Sequence, residues 1–312
     1  MKLINASLMA TTENGYTSQM RKISPEGYFS LPPGSPNFNQ ELVQLTKEHA
    51  IDLIFLQIQS PGIVDPIALK ECKDNGAIIF NFNGDIREEL PPWHYDVAEV
   101  INCSLFTNML DVRRIREKGF NAEWLELGVD QERYKDHGVR HTSPEIVFMA
   151  NSYGAGYFPL SQYRIECVQR LKQEFGDNVG IYGSGWGNFG SGEFNSDQVR
   201  ESQQYNSAKI AINVSHFATE RYSSDRLVRA LASGIMVLSH DYPGIEASYS
   251  PGEHLVTFKD IDDLVFQCKY YLSYDLVRKG IAESGQKWVL ENYTFAHMAK
   301  NIENLYLKYG KI

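Results

Sequence analysis

Residues Ser223-Ser-Asp-Arg-Leu-Val-Arg-Ala-Leu-Ala-Ser-Gly-Ile-Met-Val-Leu-Ser239 decide the fold. Leu227, Val228, Leu231 and Ala232 fall on one helical face. Gly234 supplies the left-handed residue that ends a helix. Ile235–Leu238 is a short apolar run of the kind found in a parallel strand covered on both faces. Ser223, Ser224 and Asp225 offer N-caps, so backbone N–H groups and the positive end of the helix dipole point outward there. Arg226 stands in that first turn, where a cation is disfavoured unless an anion is close. A helix start with these properties suits the diphosphate of a nucleotide.

The same alternation of strand and helix extends outward through the chain and predicts an α/β protein with parallel sheets. Expected strands are residues 2–7, 52–59, 77–83, 100–106, 122–127, 145–151, 179–182 and 209–214. Expected helices are 39–49, 66–75, 108–118, 160–175, 196–206, 261–273, 275–292 and 295–309. The polar stretch 128–144 lacks an apolar period and reads as a linker. The expected division is residues 1–135, residues 136–294, and a terminal helix at 295–312.

The 312 residues, 43% of them hydrophobic, suffice for two ordinary domains. A net charge of −9 and a pI near 5.4 argue against a chain that is basic throughout. A local basic cleft remains compatible with them. No apolar run reaches the roughly 20 residues of a membrane span. Met1–Ala6 reads as a strand rather than a signal peptide. Cys72, Cys103, Cys167 and Cys268 are widely spaced and form no C-x-x-C pair. They predict free buried thiols in a reducing cytoplasm, with no metal site.

From Asn213 to Tyr293 the chain resembles the C-terminal donor domain of GT-B glycosyltransferases, of the family 1-like, spore-maturation type. The resemblance is carried by Arg226, by Ala230-Leu-Ala-Ser-Gly234, by the run Ile235–Leu238 and by Pro243-Gly244. Pro251-Gly-Glu253, Lys259-Asp-Ile-Asp-Asp263 and Asn292-Tyr-Thr-Phe-Ala-His297 complete it. It implies two Rossmann-like domains with parallel sheets facing a central cleft, and a last helix that returns to the N-terminal domain. It also implies a nucleotide-sugar donor, a UDP-sugar, as co-substrate, with no other cofactor. One departure stands out. Arg229 occupies a position where relatives carry a Glu that binds the donor ribose, and an arginine cannot accept those hydrogen bonds.

Asn81-Phe-Asn-Gly-Asp-Ile-Arg87 follows an apolar strand. Its Asp85-Ile-Arg87 resembles the segment that carries the catalytic base in phage β-glucosyltransferases acting on hydroxymethylcytosine in DNA. Asp85 is therefore the expected general base of an inverting transfer, with Arg87 holding it by an ion pair. The competing reading is an Asp–Arg pair that caps a turn. Arg87, Trp93 and His216 are the expected acceptor contacts. Donor contacts are expected from Asn151, Ser152 and Tyr153, whose loop has the small residues and free N–H groups that cradle a phosphate. Arg164, Gly183, Trp186, Ser224, Asp225, Arg226 and Arg229 complete that set. Trp186 either stacks on the base or plugs a hydrophobic gap. Asp260–Asp263 reads as a helix cap rather than a metal-binding D-x-D element.

These residues imply a metal-independent cytoplasmic glycosyltransferase. Two acceptors are compatible with the sequence. One is double-stranded DNA carrying hydroxymethylated pyrimidines, served by the basic helix with Arg113, Arg114, Arg116 and Lys118. The other is a cell-surface, spore-coat or small-molecule glycan. A catalytically inactive binding module, suggested by Arg229, is the third reading.

Overall fold

The structure is a computed structural model and describes residues 1–9, 15–139, 144–193 and 197–310. The chain divides into two compact units, Met1–Gly128 with Phe295–Ile312, and Val129–Thr294.

The first unit runs β1 (Lys2–Ala6), α1 (Gly15–Lys22), β2 (Gly27–Ser30), α2 (Phe38–His49), β3 (Leu53–Leu56) and α3 (Pro66–Asp74). It continues β4 (Ile78–Asn83), α4 (Trp93–Val100), β5 (Cys103–Phe106), α5 (Met109–Glu117) and β6 (Ala122–Trp124). Its six strands pair in parallel in the order β2-β1-β3-β4-β5-β6. Successive strand residues point to opposite faces, so each strand feeds two cores. Ile4, Ile54 and Ile79 pack with Leu42 of α2 and Leu69 of α3. Leu3, Phe55 and Phe80 pack on the other side with Tyr16 and Met20 of α1.

The second unit runs β7 (Ile146–Met149), α6 (Ser161–Phe175), β8 (Val179–Tyr182), α7 (Gln198–Asn206), β9 (Ile210–Asn213) and α8 (Asp225–Ala232). Then follow β10 (Met236–His240), β11 (Val256–Phe258), α9 (Ile261–Ser273) and α10 (Asp275–Asn292). The strands are parallel in the order β11-β10-β9-β7-β8. Phe148, Ile212 and Leu238 face α6 and α9, while Val147, Ala211 and Val237 face α8 and α10. Gly234 has φ +77°, in the left-handed region expected of it. The last helix, α11 (Phe295–Tyr309), buries Met298, Ala299 and Ile302 against Leu3, Phe55 and Phe80 of the first unit.

In such a sheet the chain reverses its direction of winding between the first and third strands, here β7 and β9. Loops leaving the carboxyl ends of those two strands diverge, and ligands of open α/β sheets sit there.

The structure departs from the expected elements in places. Residues 100–106 do not form one strand: α4 ends at Val100 and β5 begins at Cys103. A short apolar run is compatible with either element, and periodicity alone cannot separate them. Elements α1, β2, α4 and β11 are short, and none of them is among the expected elements. Ser196, the expected start of α7, lies outside the described residues. Asp197 caps that helix through Val199 and Arg200. The polar stretch after Gly128 is not loose at its start. Val129 N–H bonds the Tyr293 carbonyl, and Tyr134 is buried with its hydroxyl on Glu201.

Candidate functional site

A polar cluster of the second unit lies at the carboxyl ends of β7, β8 and β9. Two loops are joined there backbone to backbone. Ala150 N–H bonds the Tyr182 carbonyl at 2.8 Å, and Ser152 N–H bonds the Ser184 carbonyl at 2.9 Å. The Asn151 side chain accepts from Ser184 N–H at 3.0 Å. This closeness requires glycine. A Cβ on Gly183 would lie 2.3 Å from the Ala150 oxygen, and one on Gly185 would lie 2.1 Å from the Ser152 oxygen. Both glycines have positive φ, which L side chains rarely adopt.

Arg164, in the first turn of α6, is only 1% exposed. Its guanidinium donates to the Asn151 carbonyl at 3.1 Å and to His216 Nε2. Its Nε has no partner. Burial first, then the nearby charge of Arg226, pulls Arg164 down to about 9, and no carboxylate acts on it. The side chain therefore remains a cation at neutral pH, buried and, among the described residues, without a carboxylate partner. An isolated buried charge is costly, and an anion at this position would offset the cost.

His216 follows β9 and closes the same cluster. A guanidinium only donates, so His216 accepts at Nε2 and carries its proton on Nδ1. That Nδ1 is buried and has no partner. Burial, with Arg164 and Arg226 beside it, pushes His216 down to about 3, so the ring is neutral. Tyr153 and Phe158 pack on it, with ring centroids at 5.3 and 4.5 Å. Arg226, in the first turn of α8, makes no hydrogen bond or ion pair among the described residues. Ser224 N–H reaches Ser215 Oγ at 3.3 Å, while its own hydroxyl is buried and unpartnered at the helix start. Two arginines, unsatisfied donors and a helix N-terminus thus gather at the β7–β9 switch point.

Residues 164–304 match the family model described as Glycosyl transferase-like. Among curated proteins, none matches the sequence. Solved structures do match in shape across nearly the whole chain. Sucrose-phosphate synthase from Thermosynechococcus elongatus has a TM-score of 0.69 at 11% identity, covering 99% of both chains. Anabaena HepE in complex with UDP-glucose has a TM-score of 0.66 at 12% identity, covering 99% of this chain and 100% of its own. A glycosyltransferase from Rickettsia africae has a TM-score of 0.66 at 11% identity, covering 99% of both. The chain has the GT-B fold.

Within this GT-B framework the donor residues expected from sequence divide into two groups. Asn151, Ser152, Tyr153, Arg164, Gly183, Ser224 and Arg226 belong to the cluster at the strand ends. Arg229 does not offer a free guanidinium. It pairs with Asp225 at 2.6 Å and Glu201 at 3.5 Å, and lies over the Tyr134 ring. Burial opposes its charge, but Asp225, Tyr134 and Glu201 together raise its pKa. Asp225 is occupied by the same pair. Trp186 is 6% exposed, packs edge-on against Phe148 and donates its indole N–H to the Ala150 carbonyl. It plugs the core and does not present a stacking face. His216, expected at the acceptor, bonds Arg164.

In the first unit, Asp85 is exposed just beyond β4 and makes no hydrogen bond or ion pair among the described residues. The expected Arg87–Asp85 pair does not form: Arg87 donates to the Gln59 carbonyl at 2.9 Å. Gly84 lies outside the left-handed region, and a side chain there would meet nothing nearer than 3.6 Å. Trp93 is half-buried and stacks on His94 at 3.7 Å. The cations of α5 are largely engaged. Arg114 bonds Asp111 and the Glu88 carbonyl, Arg116 bonds Glu123 and the Ala122 carbonyl, and Lys118 lies over the Tyr95 ring. Asp260 caps α9 by accepting from Asp263 N–H at 2.8 Å.

Sequence reading gives Ser215 and Asn83 no role and takes His94 as a structural residue. Each stands near a strand end or helix start, but nothing in its spacing separates it from an ordinary core residue. Their signal is burial combined with unmet or unusual hydrogen bonding, which a linear sequence does not carry.

Proposed function

We propose that this protein is a glycosyltransferase that moves a sugar from a UDP-sugar to an acceptor hydroxyl. The observation that carries the reading is Arg164, a buried cation with no carboxylate partner, together with the unpartnered Arg226 at the start of α8. The donor diphosphate would supply the missing negative charge, and the helix N-terminus would add its dipole. The same groups would stabilise the leaving diphosphate as charge develops on it, a task that two arginines and a helix start can perform without a metal ion. The UDP-glucose complex of the similarly folded Anabaena protein supports a UDP-sugar as donor.

Asp85 is the base in this reading. The acceptor oxygen forms a bond to the anomeric carbon while the bond from that carbon to the diphosphate oxygen breaks. The hydroxyl proton passes to the Asp85 carboxylate, and a single displacement inverts the centre. We favour a cell-surface, spore-coat or small-molecule glycan as acceptor over hydroxymethylated DNA. The cations of α5 that a DNA backbone would need are bonded to carboxylates, carbonyls and a ring within the first unit. The buried thiols fit a reducing, cytoplasmic setting.

The test is UDP binding by Arg226→Ala. A charge-assisted contact to phosphate contributes about 1.5–3 kcal/mol. The variant is expected to bind UDP roughly tenfold or more weakly by titration calorimetry. Unchanged affinity would remove Arg226 from the donor site.

A further inference from the structure

Asn83 ends β4 and is 0% exposed, yet among the described residues neither its Oδ1 nor its Nδ2 has a hydrogen-bond partner. Its neighbour on the same strand face, Asn81, shows what a structural amide does here. The Asn81 Oδ1 accepts from Ile58 N–H at 2.9 Å and fixes the turn after β3. Asn83 fixes nothing. It stands opposite Phe106 in the register of β4 and β5. A leucine of similar volume would carry no unsatisfied amide there. Buried amides are satisfied almost without exception, so one left open at both ends calls for an explanation.

Asn83 is not alone. His94, at the start of α4, is 2% exposed and its Nε2 has no partner. Its ring lies 6.1 Å from that of Phe106, the register partner of Asn83. Two buried groups with unmet polar atoms therefore neighbour Phe106, Asn83 by strand register and His94 by its ring, and Asp85 lies two residues beyond Asn83.

We propose that Asn83 recognises the acceptor, by hydrogen-bonding two hydroxyls of a neutral sugar or polyol. This rests on the sugar-transfer reading above and adds the acceptor's class. The chemistry of the amide fits that class and disfavours groups that only accept or only donate. Its Nδ2 only donates and its Oδ1 only accepts. A hydroxyl does both, so a pair of them satisfies both ends. A phosphate, which only accepts, leaves Oδ1 unmet, and an ammonium, which only donates, leaves Nδ2 unmet. Because the amide is closed to bulk solvent, binding entails displacement of the side chains that cover it.

The experiment compares wild type with Asn83→Leu. Saturation-transfer NMR is recorded with glycerol, methyl glucoside and methyl galactoside, and thermal unfolding is followed with and without UDP. The expected result is saturation transfer from wild type to at least one of these polyols, weakened tenfold or more in apparent affinity by the variant. The variant should unfold no earlier than wild type, and its stabilisation by UDP should be unchanged. A variant that unfolds several degrees earlier with polyol contact intact would show a structural amide and overturn the proposal. So would the absence of saturation transfer in wild type. If Asn83→Leu fails to fold, Asn83→Ala keeps the space, removes both amide atoms and reads the polyol contact by itself. Failure of the donor reading shows separately, as the absence of any UDP stabilisation in wild type.

Discussion

Arg164 and Asp85 place opposite demands on a single residue. Arg164 is buried charge held by two neutral acceptors, the Asn151 carbonyl and His216. Replacing it with Met removes the desolvation cost and two hydrogen bonds together. Each lost bond is worth about 1.5–3 kcal/mol, of the same order as the gain from removing an uncompensated charge. Arg164→Met is therefore expected to unfold within a few degrees of wild type in the absence of ligand. Its stabilisation by UDP should vanish, because that term depends on affinity for the native state. A large loss of stability with UDP stabilisation retained would make Arg164 a packing residue. Asp85 is exposed and unpaired, so no structural bond is lost in Asp85→Asn. That variant should keep UDP affinity and lose transfer by roughly a hundred- to ten-thousandfold, the range of a general base. Near-normal turnover at saturating donor and acceptor would disqualify it.

At the scale of elements, the joined loops after β7 and β8 depend on glycine in a graded way. Gly185 has φ +80°, and its added Cβ would press on the Ser152 carbonyl, which is backbone and cannot swing aside. Gly187 has φ +54° with nothing within 4 Å. The left-handed conformation alone costs an L residue roughly 1–2 kcal/mol. Gly187→Ala should show about that loss in urea unfolding. Gly185→Ala should lose more and also weaken UDP binding, because Ser152 belongs to the donor cluster. Equal losses at the two sites would contradict the close approach. These loops also mark what a sequence reveals. The helix–glycine–strand unit at Ser223–Ser239 was legible because its periodicity, cap and stop agree. Arg226 was legible for the same reason, as a cation in a helix's first turn. Arg229 was not. Its role depends on Glu201 and Tyr134, residues distant in sequence that come together only in the fold. Trp186 was half legible: the glycines around it predicted a tight loop, but the direction of the ring is set by the core it fills. The expected strand 100–106 began three residues before β5, because a short run of apolar residues has no period of its own to mark its start.

Across the molecule, burial lowers the pKa of four histidines among the described residues, His94, His216, His240 and His254, the first three of them far enough to hold the ring neutral. His94 lies in the first unit, pushed down to about 3 by desolvation and then by Arg87. His216 and His240 lie in the second, pushed down to about 3 and about 4, in each case by desolvation first. In the unfolded chain each titrates near its ordinary value of about 6.5. Between that value and the folded one, the unfolded state binds more protons than the folded state. Stability therefore rises with pH across this window and falls as pH drops through it. The full contribution is present above about pH 6.5 and is progressively lost down to about pH 3–4, with a limiting slope of about 1.4 kcal/mol per pH unit for each fully buried ring. His216 is partly exposed, so its share is smaller. The protein should be most stable above neutrality and lose several kcal/mol between pH 6.5 and 5, since the rings of both units titrate in the same direction. Urea unfolding at half-unit pH steps measures this. His94→Phe removes one titrating ring and its unmet Nε2 while keeping an aromatic beside Phe106, so it should flatten the curve. A profile already flat from pH 7 to 5 in wild type would mean that the rings find protons or partners in the folded state, and that the cluster around Arg164 is wetter than its burial implies.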